Sequence, residues 1–390
     1  MRVTMFVRCL AMMRGGGETR HLAWARELAA LGVEVEIITG VPLVSGEARY
    51  PIDGAGVALV RSPYTRDFVY RCQHRRGFGR ITMTALHIDE EWFCRAAWRR
   101  IAGTTPPPDV VHAHALHQAA RLRSGQIPVV INLPGPPHPR YTADLREADA
   151  LVADGWAAAH LPATLGMPVE RLPKGVDSER FRPEGSNARD RLGLAGKRVV
   201  LTVARLVPIK NVQRLLDAMT LVRARVTDAH LVIVGDGPEA SALHQHAAAL
   251  GLSDAVTFAG YAPHAETPDF YRAADVFALS SDFDNSPNVV LEAMASGLPV
   301  VTTEIGGARE LVTDRSGAAP GAIVVPNDPA ALAAGLEQYL ATPDAARAAG
   351  AYNRHRAATE FSWRTSALRL LDVYQRVVSA RRGLLARASA

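Results

Sequence analysis

Arg205, Lys210, Asp284 and Glu292 are the residues of this 390-residue chain whose types and spacing speak most clearly of chemistry. Arg205 and Lys210 lie in Val203-Ala-Arg-Leu-Val-Pro-Ile-Lys210, just after an apolar run. An Arg fork and a Lys point charge can neutralise a departing diphosphate where other proteins use a metal. Pro208 argues against a helix across this loop, which leaves both bases free to point away from the strand end. Asp282-Phe283-Asp284 has the spacing of a metal-binding pair, but its place late in the chain argues against that use. Asp284 is better read with Glu292, across Asn285-Ser286-Pro287-Asn288 and three apolar residues. Pro287 suits the first turn of a helix, so Glu292 falls on that helix and Asp284 in the loop before it. Two carboxylates so placed can hold two separate pairs of hydroxyls, as a sugar and a ribose on one nucleotide require.

A second set lies in the first half. His112-Ala113-His114 closes an apolar run, and His117 follows. Strand alternation puts His112 and His114 on one face. Three histidines invite a zinc site, but no cysteine or carboxylate with ligand spacing completes one. A histidine at a strand's carboxyl end suits a hydrogen bond to a sugar hydroxyl or carbonyl. A structural role stays open for both, and more so for His112. In the loop Arg14-Gly15-Gly16-Gly17-Glu18, glycines let backbone amides approach a phosphate, and a plain turn is an equal alternative. Arg20 takes the third glycine's place in a dinucleotide fingerprint, and Thr39-Gly40 stands where its acid belongs. Hydride transfer is therefore disfavoured.

The elements that must position these residues follow from periodicity. Apolar runs predict strands over Val3–Val7, Val33–Thr39, Val110–His114, Val129–Leu133 and Ala150–Ala153. Leu22, Ala25, Leu28 and Ala29 recur at helical spacing and are closed by Gly32. The turn-rich Arg182-Pro-Glu-Gly-Ser-Asn187 reads as a linker. Beyond it the alternation restarts, with strands over Arg198–Val203, Leu231–Val234, Val256–Phe258, Val276–Leu279 and Val300–Thr302. A helix runs through Leu215, Leu216 and Met219. Near-continuous apolar strands alternating with helices mean parallel sheets covered on both faces. The expected class is thus α/β, with two Rossmann-like, doubly wound parallel-sheet domains facing a central cleft. Ligands in such sheets bind beyond the carboxyl ends of the strands, which is where the residues above stand.

Bulk properties agree. The length fits two domains, and 48% apolar with 21% charged residues describes a folded soluble protein. Cys9, Cys72 and Cys94 form no CxxC pair, and so sparse a count suits a reducing cytoplasm. The opening MRVTMFVRCLAMM reads as a buried strand, because Arg8 interrupts the run and no cleavage site follows. No uncharged apolar stretch reaches the ~18 residues a membrane span needs. Net charge is +5, and nine arginines between Arg61 and Arg100 face only Asp67, Asp89, Glu90 and Glu91. That segment is either a solvated face or one attracted to an anionic membrane or acceptor. No nucleic-acid module accompanies the charge, so nucleic acid is not an expected partner.

Taken in order, the motifs resemble the retaining glycosyltransferases of family 4, the glycosyl transferases group 1, with the GT-B fold. The resemblance spans almost the whole chain. It rests on Gly-Gly before a helix, HxH after a strand, Lys174-Gly-Val-Asp177 with Phe181, and Arg205 with Lys210. Val234-Gly-Asp-Gly-Pro-Glu239, then Asp284 with Glu292-Ala-Met-Ala-Ser-Gly-Leu-Pro-Val300, and finally Phe361-Ser362-Trp363 complete it. It implies an acceptor-binding domain over 1–183, a nucleotide-sugar domain over 188–367, and a helix 368–390 crossing back to the first. By the same resemblance, Gly16 and Gly17 meet the donor phosphates and His114 touches the donor sugar. Arg205 and Lys210 neutralise the diphosphate without metal or other cofactor. Asp284 holds the sugar hydroxyls within the donor loop Asn285, Ser286, Pro287 and Asn288. Glu292 holds the ribose, and the backbone at Gly260 and Tyr261 meets the base.

The reaction implied is hexosyl transfer with retention, from a UDP- or GDP-linked sugar to a hydroxyl of an envelope glycan, glycolipid or small metabolite. Acceptor contacts are expected at His112, His117, Asn132, Pro134 and Gly135. The enzyme is expected in the cytoplasm, including the inner face of the membrane. An epimerase of the same architecture and a non-catalytic nucleotide-sugar binder are the alternatives. Two positions depart from the family pattern: Asp284, where Glu is usual, and Lys174, where Asn is usual. Lys174 either adds charge near the site or faces solvent.

Overall fold

A computed structural model describes residues 1–12, 16–49, 56–65, 79–314 and 316–388. It divides into two units, each built on one parallel sheet.

The first sheet has seven strands: β1 Arg2–Phe6, β2 Glu34–Pro42, β3 Val57–Ser62, β4 Val110–His114, β5 Val129–Leu133, β6 Ala150–Ala153 and β7 Glu170–Arg171. Their order is β3-β2-β1-β4-β5-β6-β7, and every pairing is parallel. Alternation sends the side chains of β1 to two cores. Phe6 joins Phe93, Trp98, Val111 and Ala113 on one face. Val3 and Met5, with Val7 just past the strand, join Trp24, Leu28, Leu370 and Tyr374 on the other.

The second sheet has six: β8 Arg198–Val203, β9 Ala229–Val234, β10 Val256–Gly260, β11 Val276–Leu279, β12 Val300–Thr303 and β13 Ala322–Val325. Their order, β10-β9-β8-β11-β12-β13, is again all parallel. In each sheet the winding reverses once, between β1 and β4 and between β8 and β11. Such a reversal opens a crevice at the carboxyl edge, because the flanking loops leave toward opposite faces.

The unit boundary differs from the sequence expectation. The first unit is Met1–Pro173 plus the chain from Trp363, and the second is Lys174–Ser362. The stretch 174–183 therefore belongs to the second unit, since Val176 and Phe181 pack in its core. The Val176 amide also donates to the Phe361 carbonyl at 2.8 Å. The turn-rich 182–187 segment lies inside that unit and joins nothing across a boundary. The last helix, Trp363–Ala388, starts five residues before the expected crossing at 368. Its Ser366 is fully buried, accepting from Trp24 Nε1 at 2.8 Å and donating to the Pro173 carbonyl at 2.5 Å.

Candidate active site

In the second unit the loops after β8 and β11 meet across the reversal point. Pro208 does not exclude helix altogether: Pro208–Lys210 form one tight 3-10 turn, where proline's missing N–H costs nothing. Asn211 then caps the helix Val212–Arg225, its side chain accepting from the Arg214 amide at 3.2 Å. Asn211 and Arg214 also stitch the loops together, with Asp282 accepting from Asn211 Nδ2 at 3.2 Å and from Arg214 at 2.7 Å. The apparent metal pair is thereby split. Asp282 is spent on the scaffold, while Asp284 accepts from Lys210 Nζ at 2.5 Å and from the Ser286 amide at 3.3 Å. Arg205 stands exposed on the same loop as Lys210.

The helix Asn288–Ala295 begins one residue after Pro287, which takes the cap position just outside it. Glu292 falls in its second turn and is almost closed off, at 8% exposure. One Glu292 oxygen accepts from the Tyr271 hydroxyl at 2.8 Å, and the other lies 3.2 Å from His264 Nε2. Burial, with the Glu292 carboxylate second, holds the Tyr271 phenol well above its ordinary range, so it stays a donor. His264 belongs to the loop after β10, and so ties the segment from Gly260 and the exposed Tyr261 to Glu292. Between the carboxylates, Ser286 Oγ and Asn288 Oδ1 are buried without a hydrogen-bond partner. Buried polar atoms left so are costly.

Lys174 does not face solvent. It is buried at 7% exposure and its ammonium donates to the Ser286 carbonyl, so it braces the loop between the two carboxylates. Sequence reasoning also missed His264, Tyr271 and Gly307. The Gly306-Gly307 pair opens a helix after β12, a pattern like that of Gly16-Gly17 after β1.

In the first unit, Gly16 and Gly17 open the helix Gly16–Ala30. Arg14 and Gly15, also part of the glycine-loop reading, lie outside the described residues. A Cβ on Gly17 would sit 2.3 Å from His114 Nε2, so only glycine lets this ring approach. Asn132 Nδ2 donates to the Val152 carbonyl at 3.4 Å, which turns its Oδ1 toward His114 Nδ1 at 3.0 Å. His114 Nδ1 then carries the proton of that bond, and Nε2 faces the glycine turn. Asn132 itself is fully buried, so it positions His114 rather than touching an acceptor.

His112 is likewise corrected. It is fully buried, bonded to Tyr374 and His21, because its face of β4 is covered by the first and last helices. His117 lies apart, 3.3 Å from Glu90 and stacked on Tyr141 at 4.4 Å. Among the described residues no group of three His, Cys, Asp or Glu side chains is placed to hold a metal ion. His117, Pro134 and Gly135, with Arg8, Glu90 and Tyr141, line a cavity of about 680 Å³. Arg8 is paired there with buried Asp89 at 3.3 Å.

The arginine-rich segment is only partly described, since Arg66, Arg71, Arg75 and Arg76 lie outside the described residues. The helix Gly79–Ala102 exposes Ile81, Ile88 and Trp92 together with Arg95 and Arg99. At 100° per residue these five share one face.

The family model of the glycosyl transferases group 1 matches residues 186–356. The GDP-mannose-dependent alpha-(1-6)-phosphatidylinositol monomannoside mannosyltransferase of Mycolicibacterium smegmatis is 37% identical over 215 residues. That match takes in 53% of this chain and 56% of that protein, about half its length. The D-inositol 3-phosphate glycosyltransferase of Salinispora tropica is 31% identical, over 94% of this chain and 82% of that protein. Sucrose-phosphate synthase from Thermosynechococcus elongatus shares the fold, with a TM-score of 0.77 at 20% identity over 97% of this chain and 99% of that one.

Proposed function

Because the chain belongs to the glycosyl transferases group 1, we propose that it transfers a hexosyl group from GDP-mannose to an acceptor hydroxyl, with retention and without a metal. The observation that carries this reading is the meeting of Lys210 and Asp284 at the reversal point of the second sheet, beside exposed Arg205. GDP-mannose is put first, ahead of UDP-sugars, because the name of the Mycolicibacterium relative specifies it.

The chemistry follows from those groups. The bond from the sugar's anomeric carbon to the β-phosphate oxygen breaks, and its electron pair stays on that oxygen. An ammonium has three donors; Asp284 takes one, which leaves Lys210 two for the phosphate, beside the Arg205 fork. Asp284 in turn accepts from sugar hydroxyls and Glu292 from the ribose. The acceptor oxygen bonds the anomeric carbon on the leaving-group face, and its proton passes to the departing phosphate. In the first unit, the Gly16-Gly17 amides suit a phosphate and His114 Nε2 a hydroxyl. The cavity at His117 suits a neutral polyol ring, since Arg8 is already paired with Asp89 and Glu90 faces His117. No observation favours the epimerase or the non-catalytic binder.

A thermal-shift panel with EDTA present tests the donor. GDP-mannose should raise the melting temperature more than UDP- or ADP-sugars, and GDP release with polyol acceptors should persist in EDTA. No shift with any nucleotide sugar would sink the reading, and release that needs added metal would remove the Arg/Lys mechanism.

The same proposal places the enzyme at the cytoplasmic face of an anionic membrane. Exposed Ile81, Ile88 and Trp92 beside Arg95 and Arg99 are what an interfacial helix presents to acyl chains and anionic headgroups. No described helix is long and apolar enough to cross a membrane. The protein should sediment with phosphatidylglycerol vesicles at low salt, and Ile88→Ser with Trp92→Ser should release it. Equal binding by that double variant would discard this face as the contact.

A further inference from the structure

Three fully buried side chains of the first unit form one polar chain through its core: Tyr374 on the last helix, His112 on β4 and His21 on the first helix. The Tyr374 hydroxyl lies 2.8 Å from His112 Nδ1, and His112 Nε2 lies 3.3 Å from His21 Nε2. His21 Nδ1 lies 2.7 Å from the Gly17 carbonyl.

A carbonyl can only accept, and that sets the direction of the whole chain. His21 must carry its proton on Nδ1, so the neutral ring offers a lone pair at Nε2. The proton between the two rings then belongs to His112 Nε2. His112 Nδ1 is left as an acceptor, which Tyr374 fills. With both rings neutral, every nitrogen is satisfied only in these two tautomers. Burial, with His114 the second cause, holds His21 well below the usual histidine range, and burial brings His112 down to about 3. The chain ends at the glycine turn. His21 packs on His114 with ring centres 4.4 Å apart, and His114 Nε2 abuts Gly17.

We propose that Tyr374 is a positioning residue for sugar transfer, acting through His112 and His21 to fix the Gly17 carbonyl, and with it the Gly16-Gly17 amides and the His114 ring. The link to turnover rests on the proposed function, in which that turn and His114 bind substrate; the relay itself does not.

The test has two independent readouts on the full chain. Long-range proton–nitrogen spectra of the imidazoles should show His21 protonated on Nδ1 and His112 on Nε2, both neutral near pH 7. Tyr374→Phe should shift the His112 signals and raise the KM for the nucleotide sugar about fivefold, the worth of roughly one hydrogen bond. Leu370→Ala, a packing change on the same helix, should lower the melting temperature but leave the tautomers and that KM in place. Opposite tautomers overturn the relay whatever the activity. Correct tautomers with an unchanged KM in Tyr374→Phe, or an equal rise in Leu370→Ala, overturn the positioning role. Correct tautomers in a protein that turns over no nucleotide sugar would refute the proposed function and, with it, the role given to Tyr374.

Discussion

Lys210→Met lowers kcat for sugar transfer by about 10²–10³, the typical cost of removing one donor aimed at charge that develops in a transition state. Methionine keeps the length and apolar stem of the side chain and loses only the ammonium. The variant also leaves Asp284, whose side chain is 20% exposed, without its 2.5 Å partner. That costs about 1–3 kcal/mol of stability, which a folded domain tolerates. Two explanations of the lost turnover then compete. Lys210 either meets the diphosphate or merely keeps Asp284 in place. Lys210→Met with Asp284→Asn separates them, because an amide needs no counter-charge. If the ammonium serves the leaving group, the double variant stays far below Asp284→Asn alone. Recovery to the level of that single variant would assign Lys210 to Asp284 only. Steady-state kinetics, with circular dichroism to confirm the fold, decide between them.

Gly307→Ala should do damage of another kind. A Cβ there would lie 2.2 Å from the carbonyl oxygens of both Asp284 and Asn285. These are backbone atoms, so no side-chain rotation relieves the overlap. Either the helix Gly306–Val312 moves back or the loop carrying Asp284 moves forward. Overpacking of this sort costs about 1–3 kcal/mol, and a shift near 1 Å at a reacting group costs about 10²-fold in rate. We expect a lower urea midpoint together with a fall in kcat of that order. Gly383→Ala is the control, since its Cβ would have nothing within 4 Å. If Gly307→Ala behaved like Gly383→Ala, the packing of that helix against the Asp284 loop would have no part in holding the site.

Much of this was legible in the chain before any coordinates. Val110–His114, Val129–Leu133, Ala150–Ala153, Arg198–Val203 and Val276–Leu279 are strands with the limits that their apolar runs predict. Those strands are interior, buried on both faces, and burial on both faces forces a continuous run. The strands that escaped notice, β3, β7 and β13, lie at sheet edges. β7 is Glu-Arg alone and shows no apolar run, while the short run Val57–Val60 of β3 has Leu59 half exposed and is cut off by outward Arg61. The unit boundary was misplaced for a related reason. Turn-forming residues at 182–187 mark a bend in the chain, while membership of a core depends on what Val176 and Phe181 touch.

Arg205, Lys210, Asp284 and Glu292 stood out by type and spacing, because strand, loop and helix are local patterns and the reversal of strand order brings their loops together. Sequence alone therefore determined the two-sheet class and the residues that gather at the second sheet's carboxyl edge. Only the tertiary structure decided which of two histidines on one strand face meets the glycine turn and which is walled in. The wall at His112 is Tyr374, 262 residues away, and the brace on Ser286 is Lys174, 112 residues away. Alternation settles which face of a strand a side chain takes. What covers that face is set by packing between segments distant in the chain, and no local pattern records it.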